Sequence, residues 1–482
     1  MVDLSPIYAE IVMIAFAVAI PGVYYGTKSD KIVSSMSLVG IATSIALVLL
    51  FWFDGAQPVT LEGGLLRMDA FSAIFKLVFL SVAFYVVLAS SRYVRGERHV
   101  AEYYTLILMA TVGMMVVASS VDLITLFIGI ELASLSSYAL VGFRKKDKKG
   151  AEAATKYFII GAISSAIALY GISLLYGIAG STLFTDIGAA VGGMESMDPV
   201  IYLALGLLIA GFGFKVAIVP FHMWAPDVYE GAPTTITSLL AASSKKMGFV
   251  ALFKVFLIGL IAIRVEWQFV IAIIAVVTMT LGNLIAISQN DVKRMLAYSS
   301  IAQAGYILIA LPIGTEYALA GGIFHIITHA FMKGGAFMIV ATLSTVAVGE
   351  TLSDYKGLGR RSPLMAFSMM LLLFSLAGIP PLAGFASKFV LFSSAVDVSI
   401  APVDNWVVWL AVAGVLNSAL SLYYYVRVIK YMYVEKGPTE RLRLPRAMVV
   451  AVLITVIATI VIGLYPGPVI DACQQAARAF FA

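Results

Sequence analysis

The stretch "FHIITHAFMKGG" places His325, His329 and Lys333 four residues apart. Spacing of i, i+4 and i+8 sets all three on one face of a helix. Histidine titrates near neutral pH, so such a row passes protons between water molecules. His-x3-His also suits zinc, but no acid stands between the two histidines and no further His or Cys ligand is in view, so proton relay is the better reading and no metal site is assigned. Two other stretches combine a lysine with prolines. "GFKVAIVPFHMWAPDVYEGAPTT" (213–235) carries Lys215 in an apolar run, then Pro220, His222, Trp224, Pro226, Asp227, Glu230 and Pro233. "LAGIPPLAGFASK" puts Pro380 and Pro381 two turns before Lys388. A prolyl break inside a bilayer frees backbone carbonyls, which is tolerated only where they are packed in protein or line a cavity. A helix carbonyl end near Lys215 favours its cationic form. Two broken helices, each beside a buried lysine, point to an ion path near the midplane.

The ionisable residues expected at membrane depth are Glu131, Lys215, Lys245, Lys246, His325, His329, Lys333 and Lys388. Each charge costs about 2.5–3.5 kcal/mol at the bilayer centre, so these groups must face one another or water inside a bundle. Burial drives a lysine towards its neutral form and a carboxylate likewise, while an opposite charge pulls each back. A Glu and a Lys that approach and separate are therefore a protonation switch, and Glu131 with Lys215 is the natural pair. A static bridge that fixes helix packing is the competing reading of that pair alone. It accounts less well for lysines spread over several helices. Lys245 and Lys246 are neighbours, so only one of them faces a path.

These groups need elements to hold them, and composition says which. Apolar residues make up 61% of the 482 and charged residues 12%, with mean hydropathy +0.98. A soluble chain carries about 25% charged residues. Lipid must be the solvent for most of this one, an all-α polytopic membrane protein. The single cysteine, Cys473, excludes a disulfide framework, an iron–sulfur cluster and a Cys-ligated zinc within the chain. The first apolar stretch lacks the flanks of a signal peptide and reads as a retained span.

Apolar runs long enough to cross the bilayer fall near 6–26, 32–53, 70–91, 101–119, 121–142, 152–178, 199–221, 235–262, 267–288, 294–313, 317–347, 363–394, 406–433 and 446–467. That predicts about fourteen helices, with helices 7 and 12 broken, and "ASSVD" marking the turn between the fourth and fifth. Alternate loops hold 21 basic residues, including the "RKKDKK" run at 144–149, while the opposite loops hold only Arg67 and Arg264. The positive-inside rule puts the basic side in the cytoplasm and both termini outside. The net charge of +5 is then a topology signal and not a nucleic-acid patch. "TVGMMVVASSVD" (111–122) and "TLGNLIAISQND" (280–291) share Thr, Gly and Asp at the same spacing, and each precedes a serine-rich stretch that reaches Tyr138 or Tyr306. This faint repeat predicts two related bundles, 101–262 and 267–433, between an N-terminal three-helix segment (1–100) and a C-terminal helix (434–482).

"VPFHMWAPDVYEGAPT" (219–234), "GIELASLSSYALVGF" (129–143), "EAATKYFIIGAISSAIALYGISLLYGIAGST" (152–182), "VKRMLAYSSIAQAGY" (292–306) and "GIPPLAGFASKF" (378–389) resemble the N subunit of respiratory complex I. The resemblance runs over about 100–430. That family shares its fold with Mrp-type cation/proton antiporter subunits. The resemblance implies fourteen helices with two inverted five-helix repeats, and a proton-translocating module driven by redox chemistry in other subunits. It implies Glu131 and Lys215 as the modulating pair, Lys245 as the central lysine and Lys388 as the terminal exchange site. One of Tyr423, Tyr424 and Tyr425 is implied near the outlet. "HIITHAFMKGGAF" is closer to the antiporter and L/M subunit pattern than to most bacterial N subunits, and is similar to archaeal versions that oxidise a reduced deazaflavin or ferredoxin.

The resemblance further implies a membrane subunit of a complex I-like, quinone- or phenazine-reducing oxidoreductase in the cell membrane. Flavin, iron–sulfur clusters and the acceptor would belong to partner subunits, and further antiporter-like subunits would lie beside it. This chain shows no phosphate-loop motif and is expected to hold no redox site or cofactor of its own. An Mrp-type sodium/proton antiporter subunit is the alternative the same residues would serve. A passive scaffold is the third reading.

Overall fold

The computed structural model describes residues 4–61, 63–194, 198–399 and 405–481. Among them, twelve helices are long and apolar enough to cross a membrane. Two further predicted runs form helices of a different kind. The run 235–262 is helical as Thr234–Leu239, Leu240–Ser244, Lys245–Lys254 and Val255–Gly259, but it carries Lys245, Lys246 and Lys254. Its second and fourth pieces are π-helical turns, an irregularity common at functional sites. The run 363–394 is not one continuous helix: it divides into Pro363–Ala377 and Ala383–Ser399. The run 199–221 likewise stops as a helix at Val216 and resumes as Trp224–Gly231.

Local chemistry sets the ends. Asp69 caps Ala70–Tyr93 through a reciprocal pair with Ser72, and Asp122, Asp147, Asp198 and Asp291 accept from first-turn N–H groups of the helices they precede. Pro199 and Pro363 open their helices, where the missing N–H costs nothing. At the two breaks the chain leaves the helix through left-handed backbone, Ala217 at φ 54° and Gly378 at φ 90°. The break then passes Pro220 in one case and Pro380 and Pro381 in the other.

Lipid-facing helices carry large apolar side chains outward, as Phe158, Ile163 and Tyr170 of Lys148–Ala179 do. Val292–Ile313 and Glu316–Ser344 are the inverse: 94% and 89% of their most apolar windows are buried in protein. They form the core of the bundle, and most of the buried charges touch one of them.

The shared Gly and Asp positions have matching surroundings. Val100–Ser119 and Leu123–Val141 form one hairpin, Arg264–Ser288 and Val292–Leu308 another. A Cβ on Gly113 would meet Ala133 N at 2.6 Å, and one on Gly282 would meet Ala302 N at 2.6 Å. Both glycines thus mark the close crossing within their hairpins. Asp122 bridges Leu183, and Asp291 bridges Thr351. The turn before Asp291 lies at the end of the bundle where Leu123–Val141 finishes, because Arg144, Lys149, Lys293 and Glu350 line one cavity there. The turn before Asp122 lies at the opposite end, beside Leu66. The two hairpins therefore point in opposite directions, and Arg92, Arg144, Lys149 and Lys293 collect at one face.

Candidate functional site

The eight ionisable groups expected at depth lie within the bundle, seven of them buried and Glu131 half-buried. Lys215, in the last turn of Pro199–Val216, is buried and donates to Ser134 Oγ at 2.6 Å. Glu131, one turn before Ser134, accepts from Ser165 Oγ at 2.6 Å. No Glu131–Lys215 ion pair is formed among the described residues. Each is held by a serine instead, Glu131 by Ser165 and Lys215 by Ser134. The break beyond Lys215 is closed by Trp224, whose Nε1 donates to Phe214 O at 2.9 Å. His222 lies buried in it, its Nδ1 without a partner among the described residues.

Both central lysines are buried, and their surroundings differ. Lys245 donates to Ser300 O at 3.3 Å and lies 5.7 Å from the centre of the Tyr229 ring. The Lys246 ammonium has no hydrogen-bond partner among the described residues, nor do the two ring nitrogens of His329. The histidine rings are 6.2 Å apart. His325 is held at both nitrogens, by Ser387 Oγ and by Gln303 Oε1, each at 2.9 Å. Lys333 donates to Ser299 Oγ at 2.7 Å and to Leu296 O at 3.3 Å, and Ser299 also bonds the Tyr425 hydroxyl.

At the second break Lys388 donates to Leu376 O at 2.8 Å and to Ser418 Oγ at 2.8 Å, with Ala377 O at 3.4 Å. These carbonyls are the free end of Pro363–Ala377, so the cation sits on a helix C-terminus. The carbonyl-end arrangement expected at Lys215 is realised most fully here. Its ammonium lies 4.7 Å from the Tyr306 ring centre. Tyr306 joins Tyr424 through Asn283. Beyond Lys388 a cavity of about 760 Å³ opens past Ser393 towards Asp397. Of the three candidate tyrosines, Tyr424 and Tyr425 are fully buried in this network, whereas Tyr423 is 60% exposed on the lipid face.

Three buried charges escaped the motif reading. Lys76 pairs with Glu10 at 2.7 Å, and Lys254 donates to Ala118 O and Ser120 O at 2.5 and 2.6 Å. All three stand within predicted apolar runs, where a charge is itself the signal. Asp227 and Glu230, which follow the Lys215 break, bind Arg294 at 2.9 and 2.6 Å, with Lys156 on Asp227 and Lys149 on Glu230. Burial alone would raise both carboxyls, but these cations hold each below its usual range.

A broken-helix bundle with lysines and histidines strung through its interior is the architecture of antiporter-like membrane subunits. Residues 120–421 match the family model described as NADH:quinone oxidoreductase/Mrp antiporter, TM, and the chain belongs to that family. It is 46% identical to the F(420)H(2) dehydrogenase subunit N of Methanosarcina mazei, across 97% of each chain. It is 39% identical to the NADH-quinone oxidoreductase subunit N of Desulforamulus reducens, across 97% of this chain and 96% of that one. Among solved structures, a chain of respiratory complex I from Thermus thermophilus superposes with a TM-score of 0.81 at 32% identity, covering 96% of this chain and 98% of that one. A chain of the Mrp complex from Dietzia superposes at 0.90 with 20% identity over 99% and 98%, a likeness of fold. The protein is thus an antiporter-like, proton-translocating membrane subunit of the complex I type, and its place is among other membrane subunits of a respiratory enzyme complex.

Proposed function

We propose that the chain moves protons through the row Lys215, Lys245, His325/His329, Lys333 and Lys388, driven by electron transfer in partner subunits. A change arriving from a neighbouring subunit brings Glu131 towards Lys215 or away from it. At an effective dielectric near 20, moving a unit charge from 4 to 8 Å changes the pair energy by about 2 kcal/mol. That exceeds one pKa unit and reverses proton occupancy. The observation that carries the reading is the Glu131–Ser165 and Ser134–Lys215 arrangement, which keeps acid and base close but unjoined. Lys388 is the terminal exchange site and releases its proton into the cavity that reaches Asp397.

The same reading assigns the basic face to the cytoplasm and both termini to the outside. Flavin, iron–sulfur clusters and a quinone or phenazine acceptor are placed in other subunits, with no redox site in this chain. Fourteen crossings in two inverted five-helix repeats are supported by the two opposed hairpins. The M. mazei relative makes reduced F420 the first electron donor to try. The test is donor-driven acidification of inverted native membrane vesicles. Lys215→Met or Lys388→Met should cut it at least tenfold. Unchanged protons per electron in either variant would sink the mechanism, and acidification driven only by a sodium gradient would favour an antiporter.

A further inference from the structure

Outside the central row, one charged group sits at a cavity mouth and connects to that row through a single helix. The cavity, of about 500 Å³, lies at the basic face and reaches from Arg92 and Arg144 to Glu350 and Thr234. Glu350 lies on the loop between Glu316–Ser344 and the short helix Leu352–Tyr355; its side chain is one-third exposed. Its carboxylate meets Lys293 Nζ at 3.2 Å, and Lys293 is 4% exposed. The same ammonium donates to Glu230 O at 2.8 Å and Ala232 O at 3.3 Å, the carbonyl end of Trp224–Gly231.

Lys293 begins a line of contacts along Val292–Leu308. Leu296 O and Ser299 Oγ hold Lys333, Ser300 O holds Lys245, and Gln303 Oε1 holds His325. Residues 293, 296, 300 and 303 fall close to one face of the helix, and the ten residues from Lys293 to Gln303 advance about 15 Å. One helix therefore carries a lysine at the cavity and the oxygens that seat three groups of the central row.

We infer that Glu350 and Lys293 form the proton intake of this subunit. The inference rests on the pumping role proposed above and names the groups that feed it. The Glu350 carboxylate takes a proton from bulk water and becomes a carboxylic acid. When the Lys293 amine has passed its own proton inward, the acid hands over its proton, restoring carboxylate and ammonium. One proton has then moved from the cavity to the row, at Lys333, which Leu296 O seats one turn further along the helix.

Several charges act on Glu350. Lys293 and Asp291 face it from the start of Val292–Leu308, and Glu230 from the short helix. Arg144, Asp147 and Lys149 line the cavity from the adjoining loop, and Arg92 from the end of Ala70–Tyr93. Tyr355 is near on its other side. Burial raises the Glu350 carboxyl, Lys293 opposes this, and Asp291 and Glu230 add to it. A carboxyl so placed exchanges protons nearer neutral pH than a free one. Its side chain is not what anchors the loop, because Val292 N donates to the Glu350 backbone carbonyl at 2.8 Å and Leu352 N to Asn290 O at 2.9 Å.

The test compares wild type, Glu350→Gln, Glu350→Asp and Lys215→Met in inverted native vesicles supplied with reduced F420, with NADH in parallel, from pH 6 to pH 8. Glu350→Gln should acidify at the wild-type rate at pH 6 and at least threefold more slowly at pH 8, where bulk protons are scarce, with Glu350→Asp restoring most of the loss. A loss equal at every pH, or none, overturns the intake while Lys215→Met still abolishes pumping. Full pumping by Lys215→Met would overturn the underlying role as well. If the glutamine variant does not assemble, Glu350→His decides: its pH profile must move relative to wild type, and an unmoved profile overturns the inference.

Discussion

The two broken helices use one device in two ways. Lys215 stands before its break and reaches across to Ser134, next to the half-buried carboxylate of Glu131. Lys388 stands after its break and reaches back onto the carbonyl end of the helix that was broken. Ser300 occupies in the second hairpin the place that Glu131 holds in the first, and it offers Lys245 a carbonyl. The first half thus sets a cation beside a full negative charge, and the second seats its cations on neutral oxygens. A carboxylate that moves can switch a lysine, whereas a fixed carbonyl can only hold one. On the proposed mechanism, control would lie in the first half and relay in the second.

The sharpest way to break that division is to give the second half a carboxylate. Ser300→Glu should trap Lys245 as an ion pair and lower donor-driven acidification about tenfold or more; normal pumping would show that neutral seating is not required. Glu131→Gln removes the switching charge and should slow acidification about three- to tenfold, while reduced-F420 oxidation falls less. Equal effects of Glu131→Gln on both rates would place the residue outside the coupling step. Tyr425→Phe, which cuts the hydroxyl joined to Ser299 and so to Lys333, should cost about two- to fourfold in vesicle assays. Tyr423→Phe, on the lipid face, should cost nothing. A similar loss from both would dissolve the distinction between them.

Stability provides the two smaller tests. Lys246 is a buried ammonium without a hydrogen-bond partner among the described residues. Replacing an unpaired buried polar group by an apolar one of similar length removes a penalty of about 1–3 kcal/mol. Lys246→Met should therefore raise the melting temperature of the purified complex, and a fall would mean that Lys246 has a partner in the assembly. The smallest effect is expected at the Asp227–Glu230–Arg294 cluster. Its carboxyls are depressed by their cations, so their contribution to stability is present above the ordinary carboxylate pKa of about 4 and is lost as pH falls through that value and below. Arg294→Gln should flatten this acid-side decline by about 1 kcal/mol or less, since the pairs are partly exposed.

Much of this was legible in the chain. The apolar runs, the prolyl breaks and the lysines beside them lie in local order, and membrane burial makes each charge conspicuous. The turn at "ASSVD" falls where the helices part, between Ser119 and Leu123. The partners of those charges were not legible. Lys76 stands in one run and Glu10 in another, and nothing local says that they meet. Likewise the pairing of Glu131 with Lys215 follows from chemistry, but the serines that separate them are set by how three helices cross. Long polar side chains choose among neighbours that sequence distance hides. The break in 363–394 was readable from its two prolines, and its consequence is a free carbonyl end that seats Lys388.

The helix over Thr234–Gly259 has a meaning for how the protein is made. It holds Lys245, Lys246 and Lys254, and at about 2.5–3.5 kcal/mol for each charge its solitary entry into lipid would be opposed by roughly 8–10 kcal/mol. The bilayer would reject it if it were offered alone. It must wait at the insertion machinery until helices bearing the seats of its lysines, Val100–Ser119 and Val292–Leu308 among them, are there to receive it. The segment richest in buried lysines is therefore the one whose biogenesis depends most on company. Variants that unseat its lysines should show first as failed membrane integration, before any change in turnover is seen.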